Sequence, residues 1–167
     1  MRALIVYETQ FGNTARIAEA IAAGLAESGA VELVGVDDAV VDLPDDLDLL
    51  VVGGPTHVLS MSRPETRADA RRDGATGSRG GIREWLDSLP HDAAPHARLV
   101  TFDTRQGRSF LTGSAARAAA RAVRAHGMHA EEAMDFFVTG KEGPLEEGEL
   151  ERATAWGRSL ARRAAKG

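Results

Sequence analysis

A doubly wound α/β sandwich is what this sequence predicts. Short apolar runs suited to strands buried on both faces, Ala3–Tyr7, Leu47–Val52 and Arg98–Phe102, alternate with stretches of helical periodicity. Parallel strands require crossovers, and the intervening helices supply them. The connections that follow the strands are rich in Gly, Thr, Asn and Pro, as ligand loops at the carboxyl end of such a sheet are.

Taken in order, the first strand ends at Tyr7, and a helix is expected over about 14–28. Ile17, Ala18, Ile21, Ala22 and Leu25 fall on one face of it, with Gly29 as its C-cap. Val31–Val36 is a weaker strand whose alternation and glycine suit a sheet edge. The acidic stretch 37–46 reads as a loop or a distorted helix turn, and the third strand, 47–52, runs into Gly53-Gly54-Pro55-Thr56-His57. After Pro64 a frayed helix is expected, then a flexible glycine-rich loop to residue 81 and a short helix over Ile82–Leu89. Strand four, 98–102, is followed by a loop from Asp103 to Ser109, and an Ala- and Arg-rich helix over 114–126 stops at Gly127. The fifth strand falls within 128–138, best over 133–138. A last helix over about 146–165 turns Leu150, Ala153, Trp156, Gly157 and Leu160 toward the sheet.

The loop Thr9-Gln10-Phe11-Gly12-Asn13-Thr14 joins strand one to helix one. It offers side-chain donors in Thr9, Asn13 and Thr14, and a glycine that lets backbone turn closely around a ligand. Amides at a helix N-terminus, with the dipole's roughly half positive charge, favour a phosphate. A turn capped by Asn13 or Thr14 is the simpler alternative. The nucleoside-triphosphate loop is excluded, since no Lys follows Gly12, and no Gly-x-Gly-x-x-Gly follows a strand.

Thr-x-x-Gly-Asn-Thr after strand one instead resembles the phosphate loop of flavodoxins, which holds the phosphate of FMN without Lys or Arg. Gly53-Gly54-Pro55-Thr56-His57 is similar to the family's Gly-x-Pro-Thr segment, which contacts the flavin ring mainly through backbone. The resemblance implies a flavodoxin-like three-layer sandwich of the short-chain type with a five-stranded parallel sheet of order 2-1-3-4-5. It implies FMN as cofactor, with Thr9, Gln10, Phe11, Gly12, Asn13 and Thr14 at its phosphate. Pro55, Thr56, His57 and Val58, with Asp103, Thr104 and Arg105, would lie at its ring. His57 reads equally as a surface histidine. Tyr7 lies in strand one and Trp85 and Trp156 on helices; similarity of Phe102-Asp103-Thr104-Arg105 to the family's Phe-Gly-Ser-Tyr loop implies Arg105 in the place of its stacking aromatic, and a solvent-facing arginine is the equal alternative. A planar guanidinium can stack on a ring and stay charged. A CheY-like receiver would need an acidic pair after strand one and an Asp ending strand three, and the chain provides neither.

Composition bounds the rest. At 167 residues the chain suits one domain spanning 1–167, and with no cysteine it has neither disulfides nor thiolate metal sites. A net charge of -5 argues against general nucleic-acid binding. Acids crowd Asp37–Asp48, whereas arginines gather between Arg63 and Arg83, as a solvated face or for an acidic partner. No nucleophile elbow or metal-ligand spacing is present, so no catalytic or metal-binding residue is expected. No apolar run reaches the roughly 18 residues of a membrane span, and Met1-Arg2 leads straight into a strand pattern, so a cytoplasmic monomer or weak dimer is expected. The first functional reading is an electron carrier that docks on redox partner proteins through its acidic rim. The alternatives are an FMN-dependent reductase of a quinone or other small acceptor, favoured by Arg105 and His57 near the ring, and a partner-binding module without flavin.

Overall fold

The computed structural model describes residues 1–108 and 113–164. Its strands are β1 (Arg2–Tyr7), β2 (Ala30–Gly35), β3 (Leu49–His57), β4 (Ser60–Met61), β5 (Arg98–Gln106) and β6 (Ala130–Val138). The helices are α1 (Asn13–Ala26), α2 (Pro64–Arg72), α3 (Ile82–Ser88), α4 (Ala115–Ala122) and α5 (Glu149–Ala164). Strands run in the order β2-β1-β3-β5-β6, all parallel, and the two-residue β4 folds back antiparallel on the end of β3. The expected order 2-1-3-4-5 holds once β4 is set aside, and β2 is at an edge as its alternation suggested.

Alternate residues of the central strands feed two cores. Ala3 and Ile5 of β1, Leu49 and Val51 of β3, and Val100 and Phe102 of β5 pack beneath α1 and α5. Leu4, Val6, Leu50, Val52 and Leu99 point the other way, under α3 and α4. Burial on both faces is why these strands read as continuous apolar runs.

Glycines set the closest approaches. A Cβ on Gly24 would lie 2.2 Å from the Thr154 carbonyl oxygen, and one on Gly157 would lie 2.3 Å from that of Ile21. Gly157 therefore faces α1, not the sheet as its spacing suggested. A Cβ on Gly53 would fall 2.1 Å from the Phe102 ring, so this glycine of the Gly-Gly-Pro-Thr segment serves the core. Gly29 is not a left-handed cap either, since Glu27 closes α1. Its missing side chain admits the Met1 carbonyl, 2.2 Å from where a Cβ would be.

Three further boundaries differ from expectation. The loop expected from Asp103 is strand through Gln106, because β5 pairs with β6 residue by residue to Gln106↔Val138. β3 likewise continues through the Gly-Gly-Pro-Thr segment to His57, held by β4. The stretch expected to be a flexible loop before residue 81 is tied down. Gly77 N donates to Gln10 O (3.1 Å), Ser78 N to Thr9 O (2.7 Å), and Asp37 accepts from the amides of Arg79 and Gly80. Gly127 does end the Ala-rich helix, at φ 77°, although its last turn, Val123–His126, is 3-10. Ser109 and Ala165, the expected ends of the third loop and last helix, lie outside the described residues. Among the described residues no helix is long and apolar enough to cross a membrane.

Candidate functional site

At the carboxyl end of the sheet, a cavity of about 300 Å³ opens between α1, α2 and the ends of β3, β5 and β6. Its floor is the loop 9–13. Gly12 is the N-cap residue of α1 at φ 88°, and neither Asn13 nor Thr14 caps the helix with its side chain. Asn13 Nδ2 instead donates to the Glu142 carbonyl (2.9 Å), and Thr14 Oγ1 shares a 2.7 Å hydrogen bond with Thr104 Oγ1. Only Gly12 N finds a local acceptor, Thr9 Oγ1 at 3.1 Å. A Cβ on Gly12 would meet nothing within 4 Å, so the turn stands open. Such an uncapped N-terminus facing a cavity is suited to an anion.

Ten of the thirteen expected residues line this cavity: Gln10, Phe11, Asn13, Thr14, Pro55, Thr56, His57, Val58, Thr104 and Arg105. Thr9, Gly12 and Asp103 are not among the lining residues. Gln10 is 2% exposed and donates from Nε2 to Glu8 and to the Ser78 carbonyl, leaving Oε1 without a partner. Glu8 in turn accepts from the Ile82 amide at 3.0 Å, and burial raises its pKa. Phe11 is the only aromatic in the lining.

Thr56 and Asp103 act together. Thr56 Oγ1 donates to Asp103 Oδ2 (2.9 Å) and accepts from Ala115 N (2.8 Å), so its hydroxyl is committed within the protein. Asp103 Oδ2 also accepts from Ser114 Oγ (2.7 Å) and Ala116 N (3.1 Å), joining β3 and β5 to the start of α4. Burial, with Asp135 nearby, pushes the Asp103 carboxyl up to about 6.

Arg105 lines the cavity but is 5% exposed, and its guanidinium binds the Gly113 carbonyl and Asp135, which also pairs with Arg117. Its fork is directed into protein, not laid out as a stacking plane. His57 has its pKa lowered by burial, then by Lys141 and Arg67, so its imidazole is neutral near pH 7.

Sequence reasoning missed Thr66, Asp69 and Ala70 of α2, and Gln106, Val138, Gly140 and Lys141. The last two follow β6 at the carboxyl end of the sheet, and that rule of placement was the signal for them. The acidic run is split between the two ends of the sheet, with Asp37 after β2 at the carboxyl end, where it accepts from the Arg79 and Gly80 amides. Asp46 pairs with Arg2, and Asp48 accepts from Arg2 N, at the amino ends of β1 and β3, opposite the cavity. No group of three His, Cys, Asp or Glu among the described residues could hold a metal.

Comparison with known proteins agrees with this geometry. Residues 5–66 match the flavodoxin family model, a stretch that includes the loop 9–14 and the Gly-Gly-Pro-Thr segment. A flavodoxin from Streptococcus pneumonia TIGR4 superimposes with TM-score 0.68 at 18% identity, over 98% of this chain and 99% of that one. Oxidised Flavodoxin 2 from Bacillus cereus gives 0.64 at 16%, over 98% and 99%. A flavodoxin, WrbA-like protein from Agrobacterium tumefaciens gives 0.57 at 18%, over 99% and 98%. No curated protein matches the sequence. With residues 5–66 matched by the flavodoxin family model and β6 unbroken from Ala130 to Val138, the chain has a flavodoxin-like fold.

Proposed function

We propose that this protein binds FMN through residues 10–14, 55–58 and 104–105 and carries electrons between protein partners, acting as one domain over 1–167. The observation that supports it most is the cavity at the uncapped N-terminus of α1, floored by a Thr-x-x-Gly-Asn-Thr loop. The residues fit the group. The open turn at Gly12 and the free amides of the first helical turn suit a phosphate, and the apolar walls of Phe11, Pro55 and Val58 suit a planar ring.

When bound, FMN supplies the electron chemistry, and the chain orients it and sets the field around it. Asn13 and Thr14 face the phosphate end, whereas the backbone of Thr56 and His57 faces the ring, fixed by the Asp103 network and by β4. Neutral His57 offers one donor and one acceptor but no charge. The charge that favoured a small-acceptor reductase is thereby reduced, since Arg105 is also ion-paired with Asp135, a carboxylate it shares with Arg117.

The test is to load the protein with FMN, reduce it anaerobically, and compare the rates at which it reduces a protein acceptor, cytochrome c, and a small one, benzoquinone. An electron carrier reduces cytochrome c rapidly and with strong salt dependence. Turnover confined to benzoquinone would support the reductase, and failure to take up FMN would support the partner-binding module.

A further inference from the structure

We propose that Lys141 is a phosphate ligand of this cavity, held by Asp73 in the free protein and transferred to the anion when it binds. The inference rests on the FMN reading above and adds a cation that the resemblance does not contain.

The loop 9–13 is clamped from two sides. On one, Gly77 N and Ser78 N donate to the carbonyls of Gln10 and Thr9, which places the segment that leaves Asp73 against the floor of the cavity. On the other, Asn13 Nδ2 donates to the Glu142 carbonyl, and Gly143 packs so closely that a Cβ there would lie 2.6 Å from Asn13 Nδ2. Lys141 spans the gap between the clamps. Its backbone precedes the residues that touch Asn13, its side chain lines the cavity, and its ammonium binds Asp73 at the C-terminus of α2.

The pair is set up to be exchanged. Both side chains are well exposed, 65% for Lys141 and 42% for Asp73, and ion pairs in such settings contribute little stability. A phosphate monoester carries about -1.5 to -2 charges near pH 7 against -1 for Asp73, and it would sit at the helix N-terminus as well. No acidic residue occupies the first turn of α1 to compete for the ammonium. Asp69 and Glu142 are the other carboxylates near Lys141. Arg105, the other cation in the lining, is held by Asp135 and the Gly113 carbonyl.

The experiment is calorimetric titration of FMN and of riboflavin, which lacks the phosphate, into wild type, Lys141→Gln and Asp73→Asn. Circular dichroism would show that both variants are folded. Lys141→Gln is expected to weaken FMN about tenfold or more and leave riboflavin within about twofold, as loss of one charge-assisted contact would. Asp73→Asn is expected to tighten FMN by freeing the ammonium, again without effect on riboflavin. Equal effects of Lys141→Gln on both flavins, or Asp73→Asn weakening FMN as Lys141→Gln does, would overturn the proposal by making the pair a structural strap. A wild type that binds FMN with Lys141→Gln unchanged removes this inference alone, whereas a wild type that binds neither flavin removes the FMN reading with it.

Discussion

Asp103 sits with no exposure among Thr56, Ser114 and the Ala116 amide, and its carboxyl is pushed from the usual 3.8 to about 6. The folded state therefore holds this proton more tightly than the unfolded chain does. Stability from this group falls as pH rises through about 4 to 6, is lowest above about 6, and is regained on acidification. In urea melts at about pH 7 and pH 5, wild type is expected to gain relative to Asp103→Asn as pH drops, and an unchanged difference would refute the assignment. Thr14 lends itself to a second test. It is not a helix cap, so Thr14→Ala should cost only about 1 kcal/mol of stability for the bond to Thr104, yet weaken FMN about tenfold. A stability loss with unchanged FMN affinity would make Thr14 structural. The sequence made the loop 9–14 readable because residue type and spacing carry that chemistry directly. It did not reveal that Asp103 faces α4 or that Arg105 is ion-paired inside the protein, since both depend on Asp135 on β6 and on Ser114 and Gly113 beyond the loop.

Among the elements, the contact between α1 and α5 depends on two missing side chains. Gly157→Ala would drive a methyl into the Ile21 carbonyl and should destabilise by about 1–3 kcal/mol, or roughly 2–4 °C in Tm for each kcal/mol. A thermal melt that is unchanged would show the helices are not so close. The hairpin joining β3 to β4 turns on Val58 at φ 44° and Leu59 at φ 70°, a conformation that suits Asn-Gly and strains a β-branched residue. Val58→Asn should raise stability by about 1 kcal/mol while removing apolar wall from the cavity, so FMN should bind less tightly. Periodicity located the helices well, because each keeps an apolar stripe. It stopped β3 and β5 short, because strand pairing with β4 and β6 extends them through Gly, Pro and Asp, residues that locally signal loops.

Across the whole molecule the sheet separates two kinds of surface. Asp46 and Asp48 lie at the amino ends of the strands, where Arg2 and the N-terminus partly neutralise them. The cavity end carries Lys141 with its carboxylate partner and the exposed Val58 and Leu59. Linear order could not show this, since 37–48 is one acidic run in the chain but crosses from one end of the sheet to the other in space. The fold itself was legible, because buried parallel strands and their crossovers leave few arrangements. On this reading the cavity at the N-terminus of α1 holds FMN by its phosphate. The most direct measurement is to incubate the protein with FMN, desalt it, and record its visible spectrum and flavin emission beside a riboflavin control. A retained, shifted spectrum with quenched emission for FMN, and loss of riboflavin on the column, is the predicted result. A colourless protein after both, or equal retention of the two flavins, would contradict it.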